Sequence, residues 1–273
     1  MTTRDGSGDL RVVLVQADLA WHDPEANFDR LAAALAGEAV RADLVVLPEM
    51  FPTGFTMTPG EVGPDVGERA RSYLAESARA TGATFCGSTP HYLPDAGAYV
   101  NRMLLVRPGG EAQHYDKRHR FTMAGEHLAY APGSPSPVVV EVAGWRLLLQ
   151  VCYDLRFPVY SRNRPGPEAY DAAVYVANWP SPRRAHWTAL LRARAIENQA
   201  YVLGVNRVGV DGQGLHYAGD SAVFDPHGDV LVDLGAEGAA VAATLSRTRL
   251  AAVREGLPFL RDADPFELVP RKG

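Results

Sequence analysis

Cysteine is scarce in this sequence, with two in 273 residues, Cys86 and Cys152. Two thiols cannot form a disulfide framework in a chain of this length, which excludes a stapled scaffold and fits a reducing compartment. Long apolar runs are missing too. No stretch approaches the roughly 20 apolar residues of a membrane span, and the amino-terminal MTTRDGSGDLRVVLVQ lacks the apolar core of a signal peptide. The expectation is a cytoplasmic protein without a membrane partner. Positive charge is not in excess: 27 Lys and Arg against 32 Asp and Glu leave a formal net charge of -5, whereas nucleic-acid binders usually display a basic face. Nucleic acid is therefore not an expected partner, and small-molecule chemistry leads.

Several catalytic signatures are also absent. The sequence contains no His-Glu-x-x-His and, with two cysteines, no usual zinc spacing, so no hydrolytic metal is expected. It has neither a P-loop nor a Gly-x-Gly-x-x-Gly fingerprint, so no nucleotide cofactor is expected. The lack of Gly-x-Ser-x-Gly argues against a serine α/β-hydrolase. No short-period repeat, low-complexity segment or linker breaks the chain.

What is present is an average globular composition, 47% hydrophobic and 22% charged, in a chain long enough for one layered α/β domain with a sizeable core. Leu10 to Ala17 is an apolar run. Asp23-Pro24 then predicts an N-cap with proline at the first helical position, and Phe28, Leu31, Ala32 and Leu35 share one helical face. Further strands are predicted over 43–47, 83–89, 99–106, 138–142, 145–151, 172–177, 201–205, 221–224 and 230–234. Helices are predicted over 65–81 and after a Ser181-Pro182 cap, where Trp187, Leu190 and Leu191 share a face. Runs such as LVVL, RLLLQV and AAVYVA barely alternate, which suits strands covered on both faces.

Three residues stand out at the ends of such runs or beside them. Cys152 follows Trp145 to Val151, so its thiol falls where open α/β sheets form their crevices, and the next turn can aim N–H groups at an oxyanion. The plain alternative is a packed structural cysteine, which is the better reading of Cys86. Glu49 ends the strand in VVLPEM; a carboxylate shielded from water has a raised pKa and can take a thiol proton, although a lone Glu is more often a solvated turn residue. Lys117, in YDKRH, either supplies a fixed positive charge for an oxyanion and a thiolate or belongs to a basic surface loop, the Lys117-Arg118-His119-Arg120 cluster.

Together the three stand in distinctive words, LPEMFPTGF, YDKRHRF and VCYDLRFP, and here the sequence resembles the nitrilase (carbon–nitrogen hydrolase) superfamily from about Val12 to about Pro265. Further matches are AAVYVANWP and RARAIENQAYV, and the wording of PEMFPTGFTM, YDKRHRFTMAGEH, CYDLRFPVYSRN, ANWPSPRRAHW and ENQAYVLGVNRVG is similar to its omega-amidase-like branch. The resemblance implies a four-layer α-β-β-α sandwich, one carbon–nitrogen hydrolase domain over 1–273 with a core of about 10–265, and pairing into a homodimer. It implies catalysis by Glu49, Lys117 and Cys152 with Glu126 as a second carboxylate, and needs no cofactor.

On these roles Glu49 takes the thiol proton, Cys152 attacks, and Lys117 with the Tyr153 backbone N–H holds the oxyanion. The expected substrate is the terminal amide of a small dicarboxylic acid monoamide of the 2-oxoglutaramate or 2-oxosuccinamate type. A nitrilase or an N-carbamoyl amino acid amidase is the enzymatic alternative, the latter weakened because Leu155 precedes Arg156 where carbamoylases tend to carry two arginines. A non-catalytic scaffold is the alternative from outside enzymology. Arg156 either grips a substrate carboxylate or pairs with Asp154 or another buried acid; the structural role is preferred. Trp179, Phe55, Met57, Phe121 and Tyr130 are candidate pocket walls, and Glu197 and Asn198 candidate partners in a structural ion pair or hydrogen bond.

Overall fold

The computed structural model describes residues 8–36 and 42–269; residues 1–7, on which the reading of the amino terminus partly rests, lie outside the described residues. In chain order the elements are β1 (Leu10–Gln16), α1 (Pro24–Ala34), β2 (Leu44–Val46), α2 (Val66–Thr81), β3 (Thr84–Leu93), β4 (Ala98–Val106), β5 (Ala112–Asp116), α3 (Glu126–Ala129), β6 (Val138–Val142) and β7 (Trp145–Val151). There follow β8 (Ala172–Ala177), α4 (Arg184–Asn198), β9 (Tyr201–Asn206), β10 (Val208–Val210), β11 (His216–Ala218), β12 (Ala222–Phe224), β13 (Val230–Asp233), β14 (Ala239–Leu245) and α5 (Arg247–Gly256).

Two six-stranded sheets result, ordered β14-β1-β2-β3-β4-β5 and β13-β12-β9-β8-β7-β6. Each has a parallel centre, β1-β2-β3 in one and β7-β8-β9 in the other, flanked by antiparallel neighbours. The side-chain period of two explains why the central runs are apolar throughout. Leu10, Val12, Leu14, Leu44 and Val46 pack with the residues of the other sheet, while Val13, Val15, Val45 and Leu47 point the other way, onto Leu31 of α1 and Leu74 and Ala78 of α2. Trp187 and Leu191 of α4 and Leu250 of α5 cover the second sheet. This is the expected α-β-β-α sandwich.

Local differences from the sequence reading have physical causes. Asp23 caps α1 by accepting from the Ala26 amide at 3.0 Å, but Ala32 faces solvent. Its inward place is taken by Asn27, whose side chain ties the Ala20 and Pro52 carbonyls at 2.9 and 2.8 Å. Ser181 does not cap α4; Ser181–Arg183 forms a separate 3-10 turn, and the helix starts at Arg184.

Candidate active site

The strand directions gather the candidate residues at one edge. Glu49 follows β2, Cys152 directly follows β7 and Asn178 directly follows β8, all at carboxyl ends of parallel strands. Two antiparallel steps, β3 to β4 and β4 to β5, turn β5 back to the direction of β3, so Lys117, just beyond Asp116, arrives at the same edge. Its main chain is pinned there: the Lys117 amide donates to the Asn101 carbonyl and its carbonyl accepts from Gly133, both at 2.9 Å.

Glu49, Lys117 and Glu126 have no exposed side-chain surface. The Lys117 ammonium donates to Glu49 Oε1 at 2.8 Å and to both oxygens of Glu126 at 2.9 Å. Asn101 Nδ2 donates to Glu49 Oε1 at 2.8 Å and to Glu126 Oε1 at 3.2 Å. The other Glu49 oxygen, Oε2, accepts from the Asn178 amide at 2.8 Å, and Asn178 Nδ2 reaches the Glu49 carbonyl at 2.7 Å. Glu126 Oε2 also accepts from the Phe121 amide at 2.5 Å. Nearly every lone pair of the two carboxylates is thus given a fixed partner, as buried ions require.

Cys152 begins a 3-10 turn, Cys152–Arg156, with its backbone in the left-handed region at φ 44°. Burial comes first among the causes that push its thiol well above the ordinary value; the Glu49 carboxylate adds to this, Lys117 opposes it and Glu126 adds again. Burial works against the charge of Lys117, yet Glu126, Glu49 and Cys152 outweigh it and hold the ammonium above its usual range. The Glu126 carboxyl is raised by burial, with Lys117 pulling it down and Glu49 pushing it up. Cys86, by contrast, is fully enclosed and raised by burial alone, as a packing residue should be.

Beside Cys152 opens a pocket lined by Phe55, Met57, Phe121, Trp179, Arg156 and others. Four of the five expected walls therefore converge. Tyr130 is not among them; it is buried, its hydroxyl donating to the Thr56 carbonyl at 2.9 Å. The expected pairing of Arg156 with Asp154 is overturned. Asp154 is spent elsewhere: Oδ2 accepts from Tyr115 OH and the Val151 amide at 2.8 and 3.0 Å, and Oδ1 from the His119 amide at 3.0 Å and faces its Nδ1 at 2.7 Å. Arg156 instead lies over the Trp179 ring at 4.6 Å, and among the described residues no carboxylate stands within ion-pair distance of it. Glu197 does take the structural place expected of it, 2.9 Å from Arg194, and Asn198 accepts from the Asn163 amide.

Sequence reasoning missed Asn101, Asn178 and Arg183, and named Asp154 only as a partner for Arg156. The word ANWP marks Asn178 as the end of a strand, but nothing local reveals that it reaches Glu49.

The family model for carbon–nitrogen hydrolases matches residues 11–255. The chain belongs to this family. Among relatives, it is 47% identical to omega-amidase YafV of Escherichia coli (strain K12), covering 95% of this chain and 98% of that protein. It is 31% identical to the 2-oxoglutaramate amidase of Bacillus subtilis (strain 168), covering 91% and 95%. Among solved structures, the CN-hydrolase superfamily protein XC1258 of Xanthomonas campestris, which carries an arsenic adduct in its active site, superposes with a TM-score of 0.91 at 44% identity, covering 96% and 99%. This carbon–nitrogen hydrolase is thus an enzyme of the nitrilase superfamily on its omega-amidase-like branch, an amidase by kinship.

Proposed function

We propose that the protein hydrolyses the terminal amide of a small dicarboxylic acid monoamide, of the 2-oxoglutaramate or 2-oxosuccinamate type, to the acid and ammonia. The observation that carries this reading is the conjunction of a neutral thiol in a strained strand-end turn with a carboxylate and a buried ammonium beside it. The relatives named for omega-amidase and 2-oxoglutaramate amidase activity support the substrate class, and the ion-unpaired Arg156 supplies a partner for its carboxylate.

In this mechanism Glu49 accepts the Cys152 proton as sulfur bonds to the amide carbon. The carbonyl oxygen, now an alkoxide, is held by Lys117 Nζ and the Tyr153 N–H, whose place in the first turn after the strand leaves it without an intrahelical partner. Collapse breaks the C–N bond, and the leaving nitrogen takes the proton from Glu49. Ammonia departs and a thioester remains. Water, deprotonated by Glu49 or Glu126, attacks that thioester; the acid leaves and the proton returns to Cys152. Glu126 also fixes Lys117, bound through both its oxygens. Phe55, Phe121 and Trp179 exclude water from the chain of the substrate. The family resemblance further supports one hydrolase domain, a homodimer and a cytoplasmic setting; sedimentation velocity on the purified chain reads out the dimer.

The test is a substrate panel of 2-oxoglutaramate, an N-carbamoyl amino acid and an aliphatic nitrile, run on the wild type and Cys152→Ala. Ammonia release from 2-oxoglutaramate should lead the panel and vanish in Cys152→Ala, with the circular dichroism spectrum unchanged. Preference for either other substrate, or full activity of the variant, overturns the proposal.

A further inference from the structure

We infer that Arg183 is a second specificity-determining cation, which together with Arg156 recognises the carboxylate and the adjacent 2-oxo oxygen of the substrate and disfavours an ammonium in their place. This inference rests on the substrate reading above and deepens it.

Among the described residues, the charged ones lining the pocket beside Cys152 are Arg156 and Arg183, although the chain as a whole carries net negative charge. Both guanidiniums are seated on aromatic faces: Arg156 over Trp179 at 4.6 Å and Arg183 over Phe121 at 5.4 Å. Among the described residues neither has a carboxylate within ion-pair distance, whereas the next residue, Arg184, is held by both oxygens of Asp220 at 2.9 and 2.6 Å. An aromatic seat fixes a guanidinium while leaving its edge to a planar oxyanion ligand; of the two, Arg156 is already touched on that edge, its Nη2 standing 3.3 Å from His186 Nδ1.

The local frame shows that the seat is built. Trp179 is fastened by its indole N–H to the Arg183 carbonyl at 2.8 Å and by its amide to Asn206 Oδ1 at 2.8 Å. Phe121 is fastened through its amide to Glu126 Oε2. The two aromatic seats therefore come from opposite halves of the molecule, one tied to the catalytic carboxylate and one to the second sheet, and Cys152 lines the same pocket.

One carboxylate can fill one guanidinium fork with two parallel hydrogen bonds. A second fork in the same pocket then needs further acceptors, and a 2-oxo acid offers a carbonyl oxygen beside its carboxylate. The corresponding 2-amino acid offers an ammonium there, which two guanidiniums repel. The distal amide of the same molecule is left to reach Cys152. Arg183 therefore separates 2-oxo acid amides both from neutral amides and from free amino acid amides.

The experiment measures kcat/KM of the purified full chain, as wild type, Arg183→Gln, Arg183→Lys and Arg156→Gln, on 2-oxoglutaramate, L-glutamine and butyramide. In the wild type 2-oxoglutaramate should be preferred to both others. In Arg183→Gln the 2-oxoglutaramate-to-butyramide ratio should fall roughly 10- to 100-fold, the size expected for losing hydrogen bonds to a charged group, and the preference over L-glutamine should narrow. Arg183→Lys, which keeps the charge without the fork, should restore part of the ratio. If the ratio holds at its wild-type value in Arg183→Gln but falls in Arg156→Gln, the role of Arg183 is overturned while the substrate reading stands. If the wild type itself shows no preference for 2-oxoglutaramate over butyramide, the substrate reading fails. Should Arg183→Gln misfold by circular dichroism, Arg183→Lys carries the test: an unchanged ratio there, with the fork gone, overturns the role.

Discussion

A backbone φ of 44° at Cys152 costs a residue with a Cβ on the order of 1–3 kcal/mol. The surroundings impose that cost and point the thiol at the carboxyl edge of the sheets. The same surroundings keep it protonated, since burial and Glu49 both favour the neutral form and only Lys117 favours the thiolate. The nucleophile is therefore made at the moment of attack, by transfer to Glu49, instead of being stored as a thiolate. Alkylation by iodoacetamide, followed at Cys152 by intact mass, should accordingly be slow at pH 7 and still climb about tenfold per pH unit up to pH 9, without the levelling of a free thiol whose pKa is about 8.5; a rate that levels off inside that window would contradict a thiol pushed up by burial and Glu49. At this scale Cys152 and Glu49 were legible because each closes an apolar run in a distinctive word, and Lys117 because of its word alone. Asn101 and Asn178 were not, because their meaning lies in bonds to Glu49 across 52 and 129 residues, and a lone Asn after a strand looks like any turn residue. The pairing of Arg156 with Asp154 was misjudged for a similar reason: Asp154 is two residues away in sequence but is turned toward Tyr115 and His119.

The element that carries the nucleophile, the turn Cys152–Arg156, is clamped from two sides. Asp154 ties it to the Lys117 loop, and Arg194 of α4 donates to the Leu155 carbonyl at 2.6 Å. Asp154 accepts on both oxygens, so an amide in its place must turn an NH₂ group toward donors whichever way it flips. Asp154→Asn should lower stability by about 2–3 kcal/mol and reduce kcat at least tenfold with a smaller change in KM, because the reacting atoms shift relative to one another more than the pocket does. Urea unfolding and steady-state kinetics read the two effects separately; an unchanged kcat would show that the clamp does not position the turn. Elements were legible where apolar runs are continuous, and β6, β7 and β8 fall where the pattern puts them. The exposed, polar AQHYD of β5 and the half-exposed, alanine-rich AAVAATL of β14 carry no such signal. Their pairing is decided by partners far away, β14 lying along β1 over all seven of its residues.

At the scale of the whole molecule, the enclosure that makes the site workable stores a dependence on pH. Tyr115, Tyr130, Tyr170 and Tyr175 are buried, and burial leads the causes that raise all four above their ordinary value of 10.0; the enclosed Cys86 is raised by burial above 9.0. Tyr73, at the helix-covered face of the first sheet, is pushed up to about 12. Each of these acids stays protonated in the folded chain and ionises more readily in the unfolded one. The stability they confer is therefore complete below the unfolded pKa and lost as pH rises above it. The raised ammonium of Lys117 has the same sign, because it holds its proton in the fold after the unfolded chain has released one. Loss should begin near pH 9 with the cysteines and steepen beyond pH 10 with the tyrosines. At pH 11 the unfolded chain ionises at all four of the deeply buried tyrosines while the fold keeps them neutral, so their losses add. Urea unfolding at pH 8, 9.5 and 11 should show midpoints falling with accelerating slope, and amidase activity at pH 11 should disappear together with the native circular dichroism. A midpoint that stays level from pH 8 to pH 11 would mean that these phenols and thiols are reached by solvent in the folded state, and with them the enclosure on which the neutral nucleophile depends.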